Sequence, residues 1–204
     1  MSIFPAGDSA EAEIYWAPRL SLVAPRIYVS GELQGWGDEA IRHLGGWVAA
    51  GIRTYVDLRE YDDLDFIAEH SPHIRCHRLG VHDDGATKDH AWFETGSRIV
   101  NAALEEERGN VLIGCAMGVS RSTSMAFAVL MSRGYSPIDA LNAIFEARPV
   151  ATFTYAIDAL NWWHEREGVS AGAAARTKAD VVRWLAAATE NPYWIAAHEK
   201  GEFK

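Results

Sequence analysis

The chain has 204 residues and a formal net charge of -9, with 49% hydrophobic and 23% charged residues. That size and apolar content suit one domain with a sizeable core, and the negative charge argues against broad attraction to nucleic acid or anionic lipid. No apolar run approaches the roughly 18 residues of a membrane span, no basic-then-apolar leader follows Met1, and two cysteines cannot form a disulfide framework, so a cytoplasmic protein without nucleic-acid or membrane partners is expected.

Residues 1 to 25, with Pro5, Pro18 and Pro25, read as irregular. Arg26-Ile27-Tyr28-Val29-Ser30 reads as a short strand stopped by Gly31. Ile41, Leu44, Trp47 and Val48 recur at helical spacing over Asp38 to Ala50, and Gly51 stands where a C-terminal cap belongs. Ile52 to Leu58 is a buried strand, Tyr61 to His70 a helix closed by Pro72, and Ile74 to Leu79 a further strand. After the polar loop His82-Asp83-Asp84-Gly85, an amphipathic helix is expected over Asp89 to Arg108, broken by Gly109-Asn110. Val111-Leu112-Ile113 is a short apolar strand, and Ser122 to Arg133 a buried helix. Ser136-Pro137-Ile138-Asp139 combines an N-cap, a first-turn proline and a first-turn acid, so a helix starts there and ends before Pro149. Thr152 to Glu167 is helical. Gly168 to Ala175 reads as a small-residue linker, and a further helix starts near Thr177.

Strands alternating with helices predict an α/β fold: a central, mostly parallel sheet of about four to five strands flanked by helices. The expected organisation is an irregular segment over 1–23, a main α/β domain over 24–168 and a helical C-terminal extension over 169–204, in which Trp184 and Trp194 pack against the domain or offer a partner surface.

The chemistry concentrates between the strand 111–113 and the helix from Ser122, in Cys115-Ala116-Met117-Gly118-Val119-Ser120-Arg121. A strand, a short loop and a helix N-terminus form an anion-binding geometry, with backbone N–H groups of residues 116–121 turned inward. Gly118 allows a turn that a side chain would obstruct. Arg121 offers a planar fork of donors suited to two phosphoryl oxygens. A thiol at the positive mouth of such a cup favours its thiolate form, and Cys115 is thereby placed to attack a bound phosphate. The Ser122 hydroxyl can stabilise that sulfur as nucleophile and as leaving group, while Ser120 helps shape the loop.

These residues resemble the signature His-Cys-x-x-Gly-x-x-Arg-Ser/Thr of the dual-specificity branch of the cysteine-dependent protein tyrosine phosphatases, matched at Cys115, Gly118, Arg121 and Ser122. The resemblance extends over about 24–166, through Arg26 to Gly31, Val56-Asp57-Leu58-Arg59 and Asp139 to Pro149. It implies hydrolysis of phosphate monoesters through a phosphocysteine, without metal or cofactor, on phosphotyrosine or phosphoserine/threonine protein. The alternatives are a phosphatase for a small or non-protein substrate (phosphoinositide, nucleotide, RNA end or sugar phosphate) and a phosphate-binding pseudophosphatase. It also implies a general-acid Asp about thirty residues before the Cys. Asp83, 32 positions upstream, is that candidate, with Asp84 the runner-up. Two departures stand out. Gly114 replaces the usual His, and Ala151-Thr152-Phe153 offers no equivalent of the asparagine that braces the loop in relatives.

The histidines at 70, 73, 77, 82 and 90 have no ligand spacing with a third partner and read as solvated or structural. In some members of the family a second Cys protects the nucleophile as a disulfide. Here that residue would be Cys76, whose expected state is nevertheless a buried, inert thiol.

Overall fold

The computed structural model describes residues 17–61, 64–106 and 109–188. Trp194 lies outside these residues. Among them five strands form one sheet: β1 Ser21–Ala24, β2 Ile27–Ser30, β3 Ile52–Asp57, β4 Arg75–Arg78 and β5 Asn110–Gly114. Their order is β1-β2-β5-β3-β4, and every pairing is parallel except the β1–β2 hairpin. Among the described residues seven helices flank the sheet: α1 Asp38–Ala49, α2 Leu64–His70, α3 His90–Glu105, α4 Arg121–Ser132, α5 Pro137–Ala147, α6 Ala156–Arg166 and α7 Ala171–Ala188. The expected α/β class and sheet are therefore present, with five strands.

Alternation along β5 divides the core. Val111 and Ile113 face a large cluster built with α3, α4, α5 and α6, while Leu112 faces a smaller one with Leu44, Trp47, Ile52, Tyr55, Leu64, Ile67 and Ile74. Residues 121 to 131 of α4 are buried all round, which explains why this helix reads as apolar without a polar face. β5 is central and buried on both faces. Its C-terminal end opens at the sheet edge where ligands bind in open α/β folds, and the loop from Cys115 leaves from there.

Two local starts follow from their sequences. Asp89 caps α3 by accepting from Ala91 N at 2.8 Å, and Ser136 Oγ caps α5 through Asp139 N at 3.2 Å, with Pro137 in the first turn. Other boundaries differ from expectation. Residues 21–24 are a strand rather than irregular chain, because Pro25 and Arg26 close a tight hairpin with Arg26 at φ 67°. The guanidinium of Arg26 offsets that strain by donating to Leu104 O at 2.8 Å and to Gly109 O at 2.7 and 3.1 Å. The β1–β2 hairpin runs across residue 24, where the sequence placed the start of the main domain. Helix α6 starts at Ala156 rather than Thr152, after Phe153 adopts φ 52°. The run from Ala171 to Ala175 is helix rather than linker, as its alanines favour.

Helix α7 lies on α5 and α6. Val181 is fully buried, and Trp184 stands edge-on to Phe145 and Phe153 with ring centroids 5.4 and 5.6 Å away. The indole Nε1 of Trp184 donates to Asn142 Oδ1 at 2.7 Å. Among the described residues no helix is long and apolar enough to cross a membrane.

Candidate active site

The loop between β5 and α4 is held from outside by its carbonyl groups. Ala116 O accepts from Glu32 N at 3.1 Å, and Met117 O from Arg148 Nη2 at 3.0 Å. Gly118 O accepts from Arg148 Nε, and Val119 O from Thr152 N at 2.8 Å and Thr152 Oγ1 at 3.1 Å. With four successive carbonyls drawn outward, their peptide N–H groups turn toward the inside of the loop, forming an anion-binding nest. Gly118 N already donates to Cys115 Sγ at 3.2 Å.

Gly118 is required twice over. Its φ is +72°, and a Cβ there would lie 2.5 Å from Arg148 Nη2, Gly31 N and Ser30 C. Arg148 is fully buried and also donates to Arg19 O at 2.9 Å and Ser21 Oγ at 3.3 Å. Burial pulls its pKa down to about 10, opposed by attraction to Cys115, so it remains a cation at neutral pH.

Cys115 is 1% exposed, and its Sγ lies 3.2 Å from Ser122 Oγ on the first turn of α4. Arg121 caps the other side of the cup. Its Nη1 donates to Leu58 O at 3.1 Å and Val81 O at 2.9 Å, which leaves the Nε edge toward Asp83 Oδ2 at 3.3 Å. Asp83 Oδ1 accepts from Ser120 Oγ and from Tyr155 Oη, each at 2.7 Å. The structure thus brings Cys115, Ser120, Arg121, Ser122 and Asp83 into one site.

Asp84 turns away. Its carboxylate takes Lys88 Nζ at 2.6 Å and Ala86 N at 3.0 Å, and these donors, Lys88 first, lower its pKa. Lys88 in turn lies over the Tyr155 ring at 4.7 Å.

At the strand end beneath the site, Asp57 and the buried Arg59 form a bidentate pair at 2.8 Å. Arg59 Nη1 continues to Glu32 Oε2 at 3.0 Å, which also accepts from Tyr61 Oη. Gly114, where relatives carry His, faces Tyr55: a Cβ at 114 would lie 2.6 Å from Tyr55 Cε2 and 2.9 Å from its Oη. The Tyr55 ring, fully buried and 4.9 Å from Trp47, fills the volume that a side chain at 114 would take.

Cys76 and Cys115 both stand outside any disulfide. Cys76 lies two strands from β5 and pairs in register with Tyr55, itself level with Leu112. Strand spacing and rise then separate it from Cys115 by roughly 14 Å, beyond the reach of a disulfide without backbone movement. His82 pairs with Glu60 at 2.8 Å and His90 with Glu165 at 2.7 Å. Among the described residues no three His, Cys, Asp or Glu side chains converge in a metal-binding group. The brace absent from the sequence reading is Arg148 with Thr152. Like Tyr155 and Lys88, both carry no local motif: a polar residue beside Pro149 gives no sign of burial against a loop thirty residues earlier.

A cysteine–arginine anion loop at the end of the central parallel strand, with a carboxylate docked on the arginine, defines the class of the cysteine-dependent phosphatases. The model of the family "Dual specificity phosphatase, catalytic domain" matches residues 48–159, and the chain belongs to that family. Dual specificity protein phosphatase 26 of Rattus norvegicus and of Homo sapiens are each 36% identical to it over 58 residues, 28% of this chain and 28% of theirs. The matched stretch therefore spans just over a quarter of those relatives. In fold, the chain is similar to a mouse candidate dual specificity phosphatase complexed with zinc tungstate, with TM-score 0.61 and 23% identity over 82% of this chain and 96% of that one. It is also similar to human DUSP28, with TM-score 0.59 and 24% identity over 72% and 95%.

Proposed function

We propose that the chain hydrolyses phosphate monoesters on phosphorylated proteins, through a phosphocysteine at Cys115. The observation that carries this reading is the outward anchoring of the carbonyls of residues 116 to 119, which leaves a preformed ring of N–H donors around Cys115 Sγ. Such donors, with Arg121, bind three phosphoryl oxygens and stabilise the charge that spreads over them during transfer.

In the first step the Cys115 thiolate attacks phosphorus in line, forming the S–P bond as the P–O bond to the leaving group breaks. Asp83 delivers a proton to the departing oxygen. In the second step the Asp83 carboxylate takes a proton from water, whose oxygen attacks phosphorus and breaks the S–P bond. The Ser122 hydroxyl, 3.2 Å from Sγ, hydrogen-bonds the sulfur as it leaves as thiolate. Asp83 is preferred to Asp84 as the acid because it lies against Arg121, whereas Lys88 holds Asp84 as a carboxylate away from the cup.

The test is hydrolysis of p-nitrophenyl phosphate and of phosphotyrosine and phosphothreonine peptides by the purified chain. Cys115→Ser should abolish turnover. Asp83→Asn should cost about 10²-fold or more on peptides, whereas Asp84→Asn should cost little. No hydrolysis of any substrate, or full activity in Cys115→Ser, defeats the proposal. Collapse in Asp84→Asn with Asp83→Asn intact moves the acid to Asp84.

A further inference from the structure

Asp83 meets its two hydroxyl donors on the same oxygen. Ser120 Oγ and Tyr155 Oη both reach Oδ1 at 2.7 Å, from the end of the anion loop and from the turn before α6. Oδ2 faces the other way, 3.3 Å from Arg121 Nε. A carboxyl oxygen has two lone-pair directions, and accepting two hydrogen bonds occupies both.

We propose that Tyr155 is a positioning residue for the general acid: together with Ser120 it saturates Oδ1, so that the transferable proton of Asp83 resides on Oδ2, the oxygen beside Arg121 and the phosphoryl cup. This inference rests on the reading of Asp83 as the acid.

Three features fit Tyr155 to that task. Its side chain is nearly fully buried, with the ring edge-on to Trp92 at 6.4 Å and under the Lys88 ammonium at 4.7 Å. Its hydroxyl oxygen accepts Gly85 N at 3.2 Å, which ties down the loop that carries the acid, and its O–H has Asp83 Oδ1 at 2.7 Å as a much closer acceptor than His82 O at 3.5 Å. Burial first, then the hydrogen bond to Asp83, pushes its pKa up to about 12, so it remains a donor throughout the working pH range. Fixing the carboxyl rotation matters because the proton must meet the leaving oxygen at hydrogen-bond distance as the P–O bond breaks. A freely rotating carboxyl would spend much of its time with the proton turned from the cup.

Proton delivery matters most when the leaving group is a poor one, which gives a readout that a merely structural residue would not move. Tyr155→Phe keeps the ring and removes the hydroxyl. Its kcat should fall about tenfold more on phenyl phosphate than on a phosphate ester of a strongly acidic phenol, the size expected for losing one good hydrogen bond in the transition state. Asp83→Asn should show the same selectivity more strongly. In the Asp83→Asn background, adding Tyr155→Phe should produce no further selectivity, because the proton it positions is gone. Equal losses on both esters, no loss on either, or an additive effect in the double variant overturns the proposal for Tyr155 while leaving the acid assigned. Equal losses on the two esters in Asp83→Asn, or no loss on either, overturn the assignment of Asp83 itself.

Discussion

Placing at position 114 the histidine that the family signature carries before its cysteine should damage this protein. Gly114 lies in β5 outside the left-handed region, so its backbone would accept any L-residue. On conformational grounds alone a side chain there would stabilise the strand by roughly 0.5–1 kcal/mol. The obstacle is Tyr55, whose Cε2 and Oη lie 2.6 and 2.9 Å from the position of a Cβ, inside ordinary contact distance. Tyr55, Leu112 and Trp47 are all fully buried, so nothing nearby can swing into solvent. Overpacking a closed core costs about 1–3 kcal/mol for a few added atoms, which sets the expectation for Gly114→Ala. An imidazole adds more, and Gly114→His should lose about 3 kcal/mol or more, lowering the melting midpoint by roughly 6–12 °C for a chain of this size. Tyr55→Ala alone opens a cavity and should itself cost about 3–5 kcal/mol. Combined with Gly114→His, the imidazole occupies part of that cavity, so the double variant should be more stable than the sum of the singles by at least about 1 kcal/mol. Urea melts followed by tryptophan fluorescence measure all four corners of the cycle. A Gly114→His protein with the wild-type midpoint, or strict additivity in the double variant, refutes the reasoning that Tyr55 and Gly114 are a matched pair.

Arg148→Met should leave the Met117 and Gly118 carbonyls without their donor, at about 1–3 kcal/mol each; inhibition by vanadate should weaken at least about tenfold, and Arg148→Lys, which lacks the planar fork, should restore only part of it. Tyr61 and Tyr155 have pKa values pushed up to about 12, by burial first and then by hydrogen bonds to Glu32 and Asp83 respectively. The stability from their retained protons is fully present below pH 10 and is lost as pH rises toward 12, so urea midpoints should decline across that window, and Tyr155→Phe should remove one late phenolate from an ultraviolet titration. Trp184→Ala should cost about 2 kcal/mol through lost edge-on contacts with Phe145 and Phe153, read as earlier amide exchange in α7 at little cost to catalytic rate.

The elements that the sequence reveals are those whose signals are local. Ser136-Pro137 and Asp89 announce their helices because a cap and its acceptor are neighbours in the chain. Cys115, Gly118, Arg121 and Ser122 are legible because one loop must place all four, so their spacing is fixed. β1 is not legible: its hairpin depends on Arg26 holding φ 67°, and the partners that stabilise Arg26, Leu104 O and Gly109 O, lie about eighty residues away. The start of α6 is hidden for a similar reason. Thr152 is drawn out of helical geometry by Val119, and the turn at Phe153 forms around the anion loop. Asp83 and Asp84 look alike in sequence, and only their long-range partners, Arg121 for the one and Lys88 for the other, separate their surroundings. Tyr155 is the extreme case, a core-type aromatic in sequence whose hydroxyl end is the informative part.

Arg148 also bears on how this domain can be cut and transplanted. One side of its guanidinium holds the loop that surrounds Cys115, while Nη1 reaches Arg19 O and Ser21 Oγ, 129 and 127 positions earlier in the chain. A portable module begun at 48, where the family match starts, or at 24, where the family resemblance begins, should therefore lose part of that anchor. Fusions and truncations drawn from either boundary would retain every signature residue and yet release the rear anchor of the cup. A shortened protein of that kind would carry the motif without the acceptors, Arg19 O and Ser21 Oγ, that steady Arg148 behind the loop.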